Sequence, residues 1–217
     1  MTDVVNDPVR LYLVRHGESE ANVAHCFANG TQGYPLTARG RAQAAVLAER
    51  LTTELEGRPP DSLHTSPVLR ARETAQILAN RLGTPLLPAD AALAEFDVGE
   101  FEGTDDAMHW HAYDTLVLDW LLGAQMQRRL PGGESYRDVD ERFSPFLRAL
   151  VEGSTPGQVH ILVSHGGLIR AAVPLVAVNV DGAFAHDHAV DNASWVLLIA
   201  TADDVCCARW GDHVFDS

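Results

Sequence analysis

Short apolar runs along the chain alternate with longer stretches of helical periodicity. Val9 to Val14 is apolar and stops at Arg15-His16-Gly17, as a buried strand ending in a loop would. From Ala38 to about Leu55 an alanine-rich segment repeats its apolar positions with helical spacing, with Thr37 placed to cap its first turn and Gly57 near its end. Ser62 to Thr65 reads as a second short strand, and after Ser66-Pro67 a helix runs through Arg81 and closes at Gly83. Ser135 can cap a helix reaching about Glu152, and Val159 to Val163 is a β-branched strand. Ser164-His165-Gly166-Gly167 then leads into a helix over Leu168 to Val176, and a last strand pair covers roughly Ser194 to Ile199 and Cys206 to Trp210.

Strands alternating with helices predict an α/β fold, a mostly parallel central sheet with helices on both faces. Gly99 to Gly103 reads as a turn. From Thr104 to Leu130 the pattern is irregularly helical and rich in apolar and aromatic residues, until Pro131-Gly132-Gly133 stops it. This stretch, about 104–130, is expected to form a small helical cap inserted into a single domain over 1–217. With 46% hydrophobic and 21% charged residues, the chain has the composition of a packed globular protein.

Charge narrows the partners. Thirty acidic residues against sixteen Lys and Arg give a formal net charge of -14, and no basic cluster offsets it locally. Nucleic acid and anionic membrane surfaces are therefore not expected partners. Any anion site must be a compact knot of arginine and histidine. The opening MTDVVNDPVR has neither the basic nor the apolar region of a targeting segment, and no apolar run approaches the ~20 residues that span a bilayer, so a cytoplasmic location is expected. Cys26, Cys206 and Cys207 fit neither a disulfide framework nor zinc-ligand spacing.

Ligands of such sheets bind beyond the carboxyl ends of the strands. Arg15-His16-Gly17 and His165-Gly166-Gly167 stand at such ends, and Thr65-Ser66 with Arg70 opens a helix after the second strand. The three segments can meet around one pocket. Taken singly, each residue has a plain structural explanation: Arg15 as a strand-end charge, His16 as a core histidine, Glu95 as one acid on a solvated face. It is the joint pattern that points to chemistry.

The residues LVRHGESEAN (Leu13 to Asn22), TSPVLRARETA (Thr65 to Ala75), LAEFDVGEFEG (Leu93 to Gly103), PGGES (Pro131 to Ser135) and VSHGGLIR (Val163 to Arg170) resemble, in order, the motifs of the histidine phosphatase superfamily, also called the phosphoglycerate mutase-like family. The resemblance spans most of the chain and ends at Asn192-Ala193-Ser194. It implies a phosphohistidine nucleophile at His16, phosphate-holding arginines at Arg15 and Arg70, a second histidine at His165 and a proton donor at Glu95. A phosphomonoester dianion needs such a cationic cradle before a neutral imidazole can attack phosphorus. The imidazole in turn needs its other nitrogen held by a hydrogen bond, for which the Gly17 carbonyl is placed, and the leaving alkoxide needs an acid. Asn22 resembles a polar pocket residue of relatives, with a turn or cap as the competing explanation, and Gly166 belongs to the expected phosphate-binding set. Where relatives often carry Arg, Gln-Gly and Asp ahead of Pro35, this chain has Phe27, Asn29-Gly30 and Gly33, so a particular substrate does not carry over.

The cap bears on hydrolysis against isomerisation. Thr104 to Gln127 contains no Lys or Arg, four aspartates, and bulk from Trp110, Tyr113, Leu116 and Trp120. A mutase must hold phosphorylated intermediates away from water, which calls for more cations, so a phosphatase acting on a sugar-phosphate or phosphoglycerate-derived ester fits better. Arg128 and Arg129 stand apart as candidates for reading a substrate carboxylate. The pairs His109/His111 and His186/His188 lack a third ligand with metal-site spacing, so no metal is expected, and without a P-loop or G-x-G-x-x-G no cofactor is expected either. Two alternatives stay open: a phosphoglycerate-type mutase, and a non-catalytic protein that recognises phosphate through the same pocket. Apolar cap residues would either cover the pocket or meet a second subunit in a homodimer.

Overall fold

A computed structural model of the chain describes residues 7–30, 33–123 and 125–215. Strand β1 (Val9–Arg15) runs parallel to β3 (Val159–Ser164), with Arg15 opposite Ser164, and β3 runs parallel to β2 (Ser62–Thr65), with Thr65 opposite Val163. The segments after all three strands therefore leave from one end of the sheet, and His16, Ser66 and His165 are each the next residue out. This register is what gathers the site.

On the other side of β1 lie β4 (Trp195–Ala200), β5 (Val205–Trp210) and β6 (His213–Val214), all antiparallel, giving the order β2-β3-β1-β4-β5-β6. The sheet is thus mixed, with the expected parallel arrangement in its β2-β3-β1 core. β5 and β6 run antiparallel to their neighbours because the short links 201–204 and 211–212 return the chain without a crossover helix.

Helices cover both faces. Strand β1 shows why, since its alternate residues serve two cores: Leu11 and Leu13 face one way, Tyr12 and Val14 the other. The second face is closed by α2 (Ala38–Glu54) and α3 (Leu69–Leu82) through Leu47, Leu51 and Leu78. The first is closed by α5 (Tyr136–Glu152), α6 (Gly166–Val176) and α7 (Gly182–Asp187). Each leucine buried there stabilises the fold by about 1.5–3 kcal/mol.

Local capping agrees with the sequence. Thr37 Oγ1 accepts from Gly40 N at 2.9 Å at the start of α2, and Ser135 and Asp138 exchange bonds at the start of α5. Two helices escape the periodicity, being too short to repeat a pattern: α1 (Glu20–Ala24), set by a Ser19–Asn22 capping box, and α7, capped by Asp181. In the expected cap, α4 (Ala107–Leu121) buries Leu116, Val117 and Trp120 and packs on α6 and α7. Among the described residues, no helix is long and apolar enough to cross a membrane.

Candidate active site

At the carboxyl end of the parallel strands is a cavity of roughly 270 Å³, with Arg15, His16, Arg70, Glu95 and Arg170 among the residues that line it. His16 is 2% exposed. Its Nδ1 lies 2.7 Å from the Gly17 carbonyl, which can only accept, so Nδ1 carries the proton. Its Nε2 accepts from Arg70 Nε at 2.9 Å, which leaves a lone pair on the nitrogen that faces the cation. Burial, then the charges of Arg70 and Arg15, hold the imidazole well below the usual histidine pKa. It is neutral at physiological pH.

The ring of His165 sits 5.1 Å from that of His16, at 63° to it. His165 is fully buried, and its Nε2 meets Ser66 Oγ at 2.7 Å. Ser66 Oγ already accepts from Val68 N at 3.2 Å, and His165 is the acceptor left for its proton among the described residues. The serine therefore donates to Nε2 and the imidazole proton belongs on Nδ1. That Nδ1 is buried and has no hydrogen-bond partner among the described residues, and the same is true of Arg15 Nε. Two donors without acceptors, one a guanidinium N–H and one a neutral imidazole N–H, beside the Arg70 guanidinium are what an oxyanion would satisfy.

Arg70 is 5% exposed and also donates to the Ala28 carbonyl, while Arg15 donates to Val190 O at 2.6 Å. Burial lowers the pKa of both guanidiniums, with Glu95 partly offsetting it. The Arg15-His16 loop is clamped by Thr74, which accepts from Gly17 N at 3.1 Å, and by Asn192, which donates to His16 O at 3.1 Å.

Glu95 Oε2 accepts from Gly167 N at 2.9 Å at the first turn of α6. A Cβ at residue 167 would stand 2.7 Å from Glu95 Oε1, so any side chain there would push the carboxylate out of its place. Burial pushes the Glu95 carboxyl above its ordinary value, opposed by Arg70 and by the Gly167 and Phe96 amides. The loop carrying Glu95 is pinned by Arg142, which donates to the Ala92 and Ala94 carbonyls at 2.8 and 3.0 Å, and by Ser164 Oγ, which donates to Leu93 O at 2.8 Å.

The remaining expectations separate. Gly166 lines the cavity at the N-terminus of α6, against the Arg15 guanidinium. Asn22 also lines it, but its Oδ1 is the acceptor of the Ser19 capping box, at 3.0 Å from Ser19 N, and of Asn192 Nδ2 at 3.3 Å. Arg128 and Arg129 are a correction: the structure does not bring them to this cavity. Arg128 pairs with Asp119 of α4, and Arg129 pairs with Asp138 of α5 at 3.2 Å, so carboxylates close at hand already neutralise them. Ser66, Thr74 and Arg170 went unassigned in the sequence, although each lies in or beside a quoted motif. Phe27 stacks on Trp110 at 3.9 Å in the cavity wall.

Known proteins resemble this chain in sequence and in fold. The profile of the Histidine phosphatase superfamily (branch 1) matches residues 11–213. A protein of Hydrogenobacter thermophilus named as a phosphoserine phosphatase is 35% identical over 167 residues, 77% of this chain and 78% of its own. A 2,3-bisphosphoglycerate-dependent phosphoglycerate mutase of Methylobacterium sp. is 34% identical over 168 residues, 75% of this chain and 78% of its own. Among solved structures, a mycobacterial glucosyl-3-phosphoglycerate phosphatase in complex with VO3 superposes with a TM-score of 0.76 at 28% identity, over 94% of this chain and 99% of that one. With the motifs in order, the strand register that gathers them and a profile match over nearly the whole length, the chain belongs to the histidine phosphatase superfamily.

Proposed function

We propose that the protein is a phosphomonoesterase that passes the phosphoryl group of a small phosphorylated metabolite, of sugar-phosphate or phosphoglycerate-derived type, to His16 and then to water. The observation that carries this reading is the buried neutral His16, its tautomer set by Gly17, beside two donors that lack acceptors. The phosphate oxygens take bonds from Arg15, Arg70 and His165 Nδ1, with the amide of Asn22 and the Gly166 end of α6 at the rim. As the phosphate draws the Arg70 donor to itself, the Nε2 lone pair is freed to attack phosphorus.

The P–N bond to His16 forms as the P–O ester bond breaks, and Glu95, whose carboxyl burial shifts toward its protonated form, gives its proton to the leaving oxygen. Glu95, now a carboxylate, takes a proton from water as the water oxygen bonds to phosphorus and the P–N bond breaks. Phosphate leaves, and Nε2 regains its lone pair. No metal ion enters any step, so EDTA is expected to leave the rate unchanged.

Similarity to bisphosphoglycerate-dependent mutases favours a second reading, isomerisation of a phosphoglycerate. The withdrawal of Arg128 and Arg129 from the cavity weighs against it. Release of inorganic phosphate from p-nitrophenyl phosphate separates the readings. Hydrolysis that disappears in His16→Ala supports the phosphatase, whereas slow phosphate release with bisphosphoglycerate-dependent isomerisation supports the mutase. Phosphate binding without turnover would leave only a recognition role.

A further inference from the structure

A third arginine lines the cavity, and the mechanism does not use it. Arg170 is half-buried, with Nε donating to the Ala185 carbonyl at 3.1 Å and Nη2 to the His186 carbonyl at 3.0 Å. These bonds to α7 fix the plane of the guanidinium and leave Nη1 without a partner among the described residues. None of the ion pairs among the described residues includes Arg170, in a chain with nearly twice as many acids as bases. Its charge is felt by Tyr113 and Arg15, which line the same cavity.

Position supplies the rest. Arg170 follows Gly167 by three residues on α6, so the two share a helix face about one turn, some 5 Å, apart. Gly167 N is the donor that holds Glu95, and Glu95 marks where the ester oxygen of the leaving group must lie. Arg170 is a further cation in the lining of that cavity, on the side of α6 that carries the amide holding Glu95. Asp114 stands exposed at the rim of the same cavity and opposes a second phosphate dianion more than a singly charged group.

We propose that Arg170 is a carboxylate-reading subsite, and that the substrate is the phosphate ester of a small hydroxy acid. A forked donor held in plane by two carbonyls suits a carboxylate, and little ordering remains to be done when the acid arrives. The proposal takes its leaving-group direction from the phosphatase reading above.

The test compares 3-phosphoglycerate with glycerol 3-phosphate, which differ in a carboxylate replaced by a hydroxymethyl group. The wild-type protein is expected to favour the acid about tenfold or more in kcat/KM, chiefly through KM. In Arg170→Met that ratio is expected to fall to about twofold or less, with partial recovery in Arg170→Lys. Because each ratio is read on one preparation, general damage from loosening α7 cancels. Equal handling of acid and alcohol by the wild type, or a preference that survives in Arg170→Met, overturns the proposal. Should p-nitrophenyl phosphate go unhydrolysed, the phosphatase reading fails by itself. The same two compounds then decide the subsite by calorimetric binding to wild type and Arg170→Met, with a preference lost in the variant supporting it and equal binding to the wild type refuting it.

Discussion

Two pairs of histidines stand on or at the end of the sheet, and they differ in what surrounds them. His64 and His160, on β2 and β3, have ring centroids 6.5 Å apart, and burial lowers the pKa of both. Ser62 Oγ bridges them at 2.8 and 2.7 Å, and Ser154 Oγ meets the second nitrogen of His160 at 2.8 Å. His16 and His165 share the burial and the lowered pKa, yet beside them are two guanidiniums, a cavity and polar atoms with no partner among the described residues. Burial and a shifted pKa therefore do not distinguish a reactive histidine from a structural one. Donors left without acceptors in front of open space do.

Substitutions sharpen that contrast. Glu95→Gln removes the acid and is expected to cost about 10²- to 10⁴-fold in kcat, more for an alkyl phosphate than for p-nitrophenyl phosphate, whose leaving group needs less protonation. His165→Ala removes one charge-stabilising donor and should cost about 10²- to 10³-fold. His160→Ala, by contrast, should leave turnover within about threefold while lowering unfolding free energy by about 1–3 kcal/mol, as read from urea denaturation. Equal losses of activity at 160 and 165 would erase the distinction between the pairs.

A smaller effect tests how His165 is held. Ser66→Ala frees Nε2 and lets the imidazole proton move between nitrogens, with about a tenfold loss in kcat/KM expected. The ¹⁵N shifts of His165 in the unaltered protein read the tautomer directly. A proton on Nε2 would contradict the assignment.

The smallest effect is on stability. All four imidazoles have pKa values lowered by burial, so below the ordinary value of 6.5 the unfolded chain takes up protons that the native chain resists. Their contribution is complete above about pH 6.5 and declines as pH falls toward the lowered values. Glu95, with its raised pKa, acts oppositely and becomes a cost as pH rises past its ordinary value of 4.5. Denaturation midpoints taken downward from pH 7 should fall, and His160→Gln should flatten part of that fall.

Much of this was readable from sequence because the site hangs on strand ends. Arg15-His16 and His165 each follow an apolar run directly, and Arg70 lies in the first turn of a helix after a third. Glu95 stands in an irregular loop, where periodicity says nothing, and only the motif resemblance pointed to it. Arg128 and Arg129 looked like a cationic site because they are adjacent. The four cap aspartates were the clue that such charges would find partners, and Asp119 is one of the two that bind them, with Asp138 beyond the cap as the other. Ser66 meets His165, 99 residues away, a contact that no local pattern encodes. For Arg170 the spacing from Gly167 was a usable signal.

The central claim is a bond between phosphorus and Nε2 of His16. Rapid quenching during turnover of a ³²P-labelled ester, followed by peptide mapping, should find acid-labile, base-stable label on His16 in the wild type, accumulating in Glu95→Gln when p-nitrophenyl phosphate is the donor. Label on another residue, or steady phosphate release with no labelled protein at any quench time and in either protein, would contradict it.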